Sequence, residues 1–434
     1  MDVPEDTVTQ PFAPLALKLA DAVADLLADP ATAPVSPRTT TTERQQLAYG
    51  PLGIALLHIE RAARGLGPWQ RAHDWLTAAT RQPFTSGPDS HPFYGAPALA
   101  HTVACAADHL PGTYQRALDT LDAQIATDLR TRLDAAHRRI DAGHLPHLAE
   151  FDAIRGLTGY GAYLLRRDPS SSDLHAVLGY CVRLTEPLSS GGEILPGWWT
   201  ATGPSGRLDE RFSGGHANSG LAHGIGGVLA LLALAVRYGA APAGHHDAMR
   251  TILAWLDCWQ EKTDLGVAWP YWVMRAELAD GHLIPSVPRR PSWCYGTAGL
   301  ARAQQLAALA LGDTTRQVEA ESALVAALTE RTQLAATTDN GLCHGFAGLA
   351  HIAARTSTDA YPTTVGQLQA TIPALLAAVC PPGTDPAIAA AALVRDEEAG
   401  PGFLNGAAGI ALALLAPATT TPPLSAWDSC LVIA

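Results

Sequence analysis

The feature that most constrains this chain is a turn that recurs seven times. A Gly-x-x-Gly step followed by an Ala/Leu-rich stretch stands at Gly50–Gly53, Gly156–Gly159, Gly224–Gly227, Gly296–Gly299, Gly345–Gly348 and Gly406–Gly409. A seventh, degraded copy is Gly95–Ala98, with alanine as the second small residue. The first glycine lets the chain turn into a helix with no Cβ in the way, and the second lets that helix approach a neighbour closely. The stretches that follow are apolar on nearly all sides, as in Val228–Val236 and Ile410–Leu415. A helix apolar all round is an inner helix, wrapped by others. More amphipathic stretches, such as 115–137 and 315–336, lie between the copies. The copies are spaced by roughly 45 to 72 residues, room for two helices each, and repeats of that period build arrays or closed rings. The expected fold is all-α: an (α/α)7 toroid of seven two-helix repeats, inner helices about the axis and outer helices around them. The alternative is an open solenoid. Open arrays end in polar capping repeats, whereas the last copy here is among the most apolar.

Two stretches break this rhythm. Residues 186–215, with Gly191, Gly192, Pro196, Trp198 and Trp199, read as loop. Within 264–292, aromatic and β-branched residues from Val267 to Val273, then Asp280-Gly281, then Leu283-Ile284, are a hairpin signal. Both stretches are expected to form a small strand-containing appendage on one end of a single domain spanning 1–434. The segment up to about Ala33 reads as helical and 34–44, rich in Thr and Pro, as a linker.

Composition narrows the function. Apolar residues make up 47% of the 434 residues and charged ones 16%, which excludes a disordered or fibrous chain. The net charge of −12, with Lys18 and Lys262 as the only lysines, argues against a nucleic-acid-binding surface. No basic segment followed by an apolar run opens the chain, so no signal peptide is expected. The longest apolar runs fall short of the roughly 18–20 residues a membrane span needs. The seven cysteines are odd in number and scattered, which points to a reduced compartment rather than a disulfide scaffold. A cytoplasmic location is expected, peripheral to the membrane at most through partners. Cys105, Cys181, Cys258 and Cys380 lie in helical stretches and read as small core residues.

The chemistry falls at one register of the repeat. The two residues before the first glycine are Ala48-Tyr49, Phe93-Tyr94, Ile154-Arg155, Ala222-His223, Cys294-Tyr295, Cys343-His344 and Leu404-Asn405. In a ring, equivalent positions face one axial end and converge on its centre. Cys294, Cys343, His344 and His223 should therefore meet in one cleft. Two thiolates and an imidazole are a three-ligand zinc set with the fourth position left to water or substrate. Packing of Cys294 beside Trp293 is the plain alternative, and it gives no reason for two glycine-bounded turns to carry cysteine.

The motifs Ala222-His-Gly-Ile-Gly-Gly227, Trp293-Cys-Tyr-Gly-Thr-Ala-Gly299 and Cys343-His-Gly-Phe-Ala-Gly348 resemble the signatures of the lanthipeptide cyclases, the LanC family. The resemblance covers almost the whole chain. It implies an α-toroid with a central zinc ion that activates a peptide cysteine thiol. That thiol adds to a dehydroalanine or dehydrobutyrine of the same peptide to close a lanthionine or methyllanthionine thioether ring. By position, the resemblance assigns Cys294, Cys343 and His344 as zinc ligands and His223 as an acid/base. It pairs Asp152 with that chemistry and adds Arg290 and Tyr295. Residue by residue, plainer roles stand beside these: a turn-capping histidine, a helix N-cap at Asp152, a surface ion pair at Arg290 and core packing at Tyr295. His91, His216, Asn218 and His351 read as caps or packing residues.

The chemistry itself agrees with this assignment. A free cysteine, with a pKa near 8.5, is only about 3% thiolate at pH 7, and zinc coordination deprotonates it. Attack on the β-carbon then leaves an enolate that needs stabilisation and a proton at Cα. The expected partners are a dehydrated precursor peptide, a separate dehydratase and a transporter. Two rivals remain. One is a LanC-like enzyme adding glutathione or another small thiol to dehydrated peptides. The other is a non-catalytic zinc-stabilised scaffold that binds peptides.

Overall fold

The computed structural model describes residues 12–34, 45–81, 83–190, 192–284 and 289–434. Seven helices follow the seven turns: Pro51–Ala63, Ala96–Ala107, Leu157–Arg167, Ile225–Arg237, Thr297–Leu311, Phe346–Thr358 and Ala407–Thr419. Each packs on the next, and the seventh packs on the first. The ring is closed, which disposes of the open solenoid. These inner helices are buried along almost their whole length; in the fourth, every residue from Ile225 to Ala235 is buried. Each fully buried Leu or Val there contributes about 1.5–3 kcal/mol.

Outer helices pair with inner ones in order: Trp69–Ala79, Gln115–Asp141, Ser172–Arg183, His245–Cys258, Thr314–Thr329 and Val365–Val379. The outer partner of the seventh inner helix is the first helix of the chain, Phe12–Leu26. It buries Ala16, Leu19, Ala20, Val23 and Ala24. The N-terminal segment is thus helical only over part of the stretch up to Ala33. Residues 1–11, and 35–44 of the expected linker, lie outside the described residues. The stretch 315–336 also divides, into Thr314–Thr329 and Arg331–Ala335.

The turns are joined to one another around the ring. In all seven copies the carbonyl two residues before the first glycine accepts a hydrogen bond from the preceding copy. The acceptors are Phe93 (from Leu47 N, 2.9 Å), Ile154 (from His91 Nδ1, 3.1 Å), Ala222 (from Ala153 N, 3.0 Å) and Cys294 (from Ala222 N, 3.3 Å). They continue with Cys343 (from Cys294 N, 3.4 Å), Leu404 (from Cys343 N, 2.8 Å) and Ala48 (from Phe403 N, 2.7 Å). Six links are main chain to main chain. The remaining one, at the degraded second copy, runs through the His91 imidazole, which is therefore more than a packing residue.

The second glycine has a cause closer to home than a neighbouring helix. A Cβ at Gly53, Gly159, Gly227, Gly299, Gly348 or Gly409 would overlap the carbonyl oxygen of Leu47, Ala153, Leu221, Trp293, Leu342 or Phe403 respectively, always three residues before the first glycine of the same turn. The turn folds back onto its own helix. The second copy is built differently: His91 and Tyr94 exchange main-chain hydrogen bonds (3.0 and 2.7 Å), Gly95 N donates to the Gln45 carbonyl (3.1 Å), and there Ala98 is accepted.

Among the described residues the insertions carry seven short strands. Residues 186–215 are not loop throughout: β1 (Leu188–Ser190) pairs with β2 (Glu193–Leu195) as a hairpin. Strand β3 (Trp199–Thr200) pairs with β4 (His216–Asn218), which pairs with β7 (Trp272–Met274). Between β4 and β7, β5 (Glu261–Lys262) and β6 (Val267–Ala268) form a second hairpin. The hairpin expected at Asp280-Gly281 is instead a helix, Arg275–Asp280, ended by Gly281 at φ +70°. A glycine after a turn and a glycine after a helix read alike in sequence. Here buried Glu277 decides, its carboxylate accepting from Met274 N (2.7 Å) and Ile284 N (3.0 Å).

Cys105, Cys181 and Cys380 are buried as expected, whereas Cys258 is exposed. It is the last residue of its helix, where the chain has left the packed face. Among the described residues no helix is long and apolar enough to cross a membrane.

Candidate functional site

All seven inner helices start at the same end of the ring, so the turns form one rosette there. Their backbone is buried, but the residue just before each first glycine is not: the His223 side chain is 32% exposed and that of His344 25%. Tyr49, Tyr94, Arg155, Tyr295 and Asn405 hold the same register and are likewise half-buried or exposed. The fourth, fifth and sixth turns are adjacent and linked by the bonds Ala222–Cys294 and Cys294–Cys343. These bonds bring His223, Cys294, Tyr295, Cys343 and His344 together.

The two thiols interact directly. The Cys343 thiol donates to the Cys294 sulfur and, against burial, brings Cys294 down to about 6. The Ser292 hydroxyl, 3.6 Å from that sulfur, and the charges of His344 and Arg290 act in the same direction. Cys343 is pushed far up in return, because its proton is held in the shared bond.

His344 is oriented from its own loop. Its Nδ1 donates to Asp339 Oδ2 at 2.7 Å, leaving Nε2 open. Burial acts to raise the Asp339 carboxyl, but the His344 bond, the Gly341 amide and the charges of His344 and Arg290 outweigh it and leave the group below its ordinary range. Sequence reasoning missed Asp339. The signal was in the register: Asp339 stands six residues before Gly345, as Asn218 stands six before Gly224. Both side chains accept from the amide two residues on, at 2.8 Å (Gly341) and 3.0 Å (Gly220).

The second dyad is His223 with Asp152. His223 Nδ1 donates to Asp152 Oδ2 at 2.8 Å, and the carboxylate is 3% exposed. Asp152 Oδ1 accepts from Arg155 N (2.6 Å) and Gly156 N (2.9 Å). Asp152 is not the N-cap of the next helix, which is Gly156. It braces its own turn and holds a histidine from the next repeat.

The small sheet supplies an aromatic wall. The Tyr295 ring lies 5.9 Å from His223, 5.4 Å from Tyr271 and 5.8 Å from Trp272. Asn218 Nδ2 donates to the Tyr295 hydroxyl (3.2 Å), and the Tyr271 hydroxyl donates to the Arg290 carbonyl (3.0 Å). Among the described residues Arg290 makes no ion pair, so its charge faces the thiols and Asp339 uncommitted. His351 lies apart, bonded to Asp428 deep in the ring (2.8 Å).

Cys294, Cys343 and His344 suit a soft, tetrahedral cation such as zinc by donor chemistry, and a carboxylate behind the ligating imidazole is the usual support. Both cysteines are free thiols, and among the described residues no three His, Cys, Asp or Glu groups stand in metal-holding geometry.

A closed seven-repeat helical toroid with a thiol pair and two carboxylate-held imidazoles at one mouth defines a narrow class of protein. The chain belongs to the lanthionine synthetase C-like family, whose model matches residues 42–432. The nisin biosynthesis protein NisC of Lactococcus lactis subsp. lactis is 26% identical over 244 residues, 55% of this chain and 56% of that protein. The match thus spans little more than half of that relative. The solved structure of nisin cyclase shares the fold, with a TM-score of 0.70 at 20% identity over 91% of this chain and 93% of that one.

Proposed function

We propose that this protein is a zinc-dependent lanthipeptide cyclase. The observation that carries the reading is the juxtaposition, in four adjacent turns, of the Cys294–Cys343 thiol pair with the Asp152–His223 dyad. Membership of the family and the likeness to a nisin biosynthesis protein support it. Cys294, Cys343 and His344 would hold the zinc, which when bound lowers the pKa of a substrate thiol and keeps it thiolate near neutral pH.

The reaction forms one C–S bond at the β-carbon and breaks the C=C π bond, and the thiol proton is balanced by one delivered to Cα. With Nδ1 committed to Asp152, His223 Nε2 is free to hold and deliver a proton, and Asp152 keeps the ring aimed for both events. Arg290 faces the charge that develops on the enolate oxygen. The Tyr271–Trp272–Tyr295 wall offers apolar surface to the dehydro side chain and keeps water from it. The substrate is a dehydrated precursor peptide, with a separate dehydratase and a transporter as partners, in a reducing, cytoplasmic setting.

The test is His223→Asn, assayed on a dehydrated peptide by counting free thiols with an alkylating reagent and mass spectrometry. Cyclisation should fall by about 10²–10⁴-fold, the usual range for a lost proton-transfer group, with zinc content unchanged. Undiminished turnover would remove His223 from the chemistry. Glutathione adducts on a cysteine-free dehydrated peptide, without ring closure on the full peptide, would favour small-thiol addition instead.

A further inference from the structure

The segment after the last inner helix does not stay on the surface. It enters the ring at the C-terminal ends of the inner helices, turns inside it over Trp427–Leu431, and returns so that Ala434 lies beside Arg237 and Asp359 at those same ends. Ser425, Trp427, Asp428, Leu431, Val432 and Ile433 are all buried. Five repeats hold it. At its start, the Glu60 carboxylate accepts from Leu424 N (3.0 Å) and Ser425 N (2.9 Å), and Arg166 donates to the Ser425 carbonyl (3.1 Å). Further in, His101 Nε2 donates to the Trp427 carbonyl (3.1 Å), and Asp428 accepts from His351 (2.8 Å) and Arg355 (2.7 Å). Arg302 Nε donates to the Ile433 carbonyl (2.9 Å). Ala426 and Val432 sit at φ +52° and +57°. That region is costly for a β-branched residue, and it persists only where the surroundings over-determine it.

One bond joins this segment to the candidate site. Trp293 Nε1 donates to the Leu431 carbonyl at 2.9 Å. Trp293 immediately precedes Cys294, and its own carbonyl is the one seated against Gly299. The residue is thus pinned on both sides, by its indole below and its backbone above. With Trp293 fixed, the direction in which the chain leaves towards Cys294 is fixed too.

We infer that the axial segment Trp427–Ile433 positions the Cys294 turn, through the Trp293 indole and the Leu431 carbonyl. Trp293 is then a positioning residue, and the segment is a floor that sets the thiol pair from beneath. The inference rests on Cys294 being a working thiol of the site, as proposed above. A plain packing role would make this indole–carbonyl bond equivalent to any other buried one. The chain holds such a control: Trp75 Nε1 donates to the Leu27 carbonyl at 2.8 Å, away from the turns.

The experiment compares Trp293→Phe with Trp75→Phe in two assays on the full chain. The first is cobalt(II) titration, read by affinity and by the thiolate-to-cobalt absorption. The second is the alkylation rate of Cys294 in chelator-treated, metal-free protein, mapped by peptide mass spectrometry. Trp293→Phe should weaken cobalt binding by about 10-fold or more, as loss of outer support for a ligand does, with an altered spectrum. It should also raise Cys294 alkylation at least several-fold, while Trp75→Phe leaves both readings at wild-type values. Equal behaviour of the two variants would overturn the inference. Should Trp293→Phe not fold, Trp427→Phe loosens the segment without touching the turn, and an unchanged Cys294 alkylation rate would overturn it equally. A wild type that binds no cobalt or zinc would sink the metal reading alone, since the alkylation comparison does not depend on metal.

Discussion

Asp339 sets what His344 can do. With Nδ1 committed to a carboxylate at 2.7 Å, only Nε2 can face the thiols. Asp339→Ala should therefore weaken zinc binding by about 10–100-fold, the usual effect of losing such a support. Competition with a chromophoric chelator measures this, and wild-type affinity would show that His344 needs no support. Elsewhere, buried histidines tie stability to pH. His58 and His91 are lowered to about 4 and His101 to about 3, in each case chiefly by burial. Each meets a carbonyl, of Leu27, Ile154 and Trp427 respectively, and stays neutral. A histidine depressed in the folded state binds its proton first in the unfolded one. Its contribution is whole above about pH 6.5 and is lost as the pH falls towards 4. Between pH 7 and 5 each such histidine should cost about 2 kcal/mol. Urea midpoints at the two pH values check this, and equal midpoints would refute it. His101→Gln, which retains a donor for Trp427, should flatten the dependence.

At the scale of the turn, the glycine pattern makes a sharper claim than helix packing would. Because the second glycine seats the carbonyl of its own turn, Gly299→Ala must displace Trp293, at about 1–3 kcal/mol for forced overpacking. Ala98 sits in a turn with a different backbone path, so Ala98→Gly should cost only the roughly 0.5–1 kcal/mol of added chain freedom. Thermal melts of the two variants decide, and a similar loss in both would mean the glycines are not selected by their turns. Copy number and spacing made the ring legible in the sequence, and the shared register made the four Cys and His residues legible as neighbours. What stayed hidden depends on contacts that no local pattern encodes. Asp339 gains meaning only when its loop folds back on His344. Asp280-Gly281 ends a helix because Glu277 is buried, and Cys258 is exposed because its helix stops there. The axial segment was least visible of all: Trp427–Ile433 is a short mixed stretch whose partners are spread from His101 to Arg355.

The whole ring has one seam that the chain order makes different from the others. Six inner helices have their outer partner next in sequence, but Ala407–Thr419 takes Phe12–Leu26 from the other end of the described chain. At the same seam, Phe403 N closes the circle of turn bonds onto the Ala48 carbonyl. Only when both ends have met are the apolar faces of the first and last repeats covered. The seam should then be the last contact made and one of the most costly to weaken. Leu19, fully buried in the first helix, is the place to test it. Leu19→Ala should cost about 2–5 kcal/mol, the range for emptying a buried leucine site. The site residues of the fourth to sixth repeats are packed among themselves, so zinc affinity below the melting range should stay at the wild-type value. We propose that the ring unfolds as a single domain; calorimetry of Leu19→Ala should accordingly show one transition shifted down as a whole. A second transition remaining at the wild-type temperature would mean that the seam helix melts from an autonomous remainder, and that closure of the ring does not hold the other repeats together.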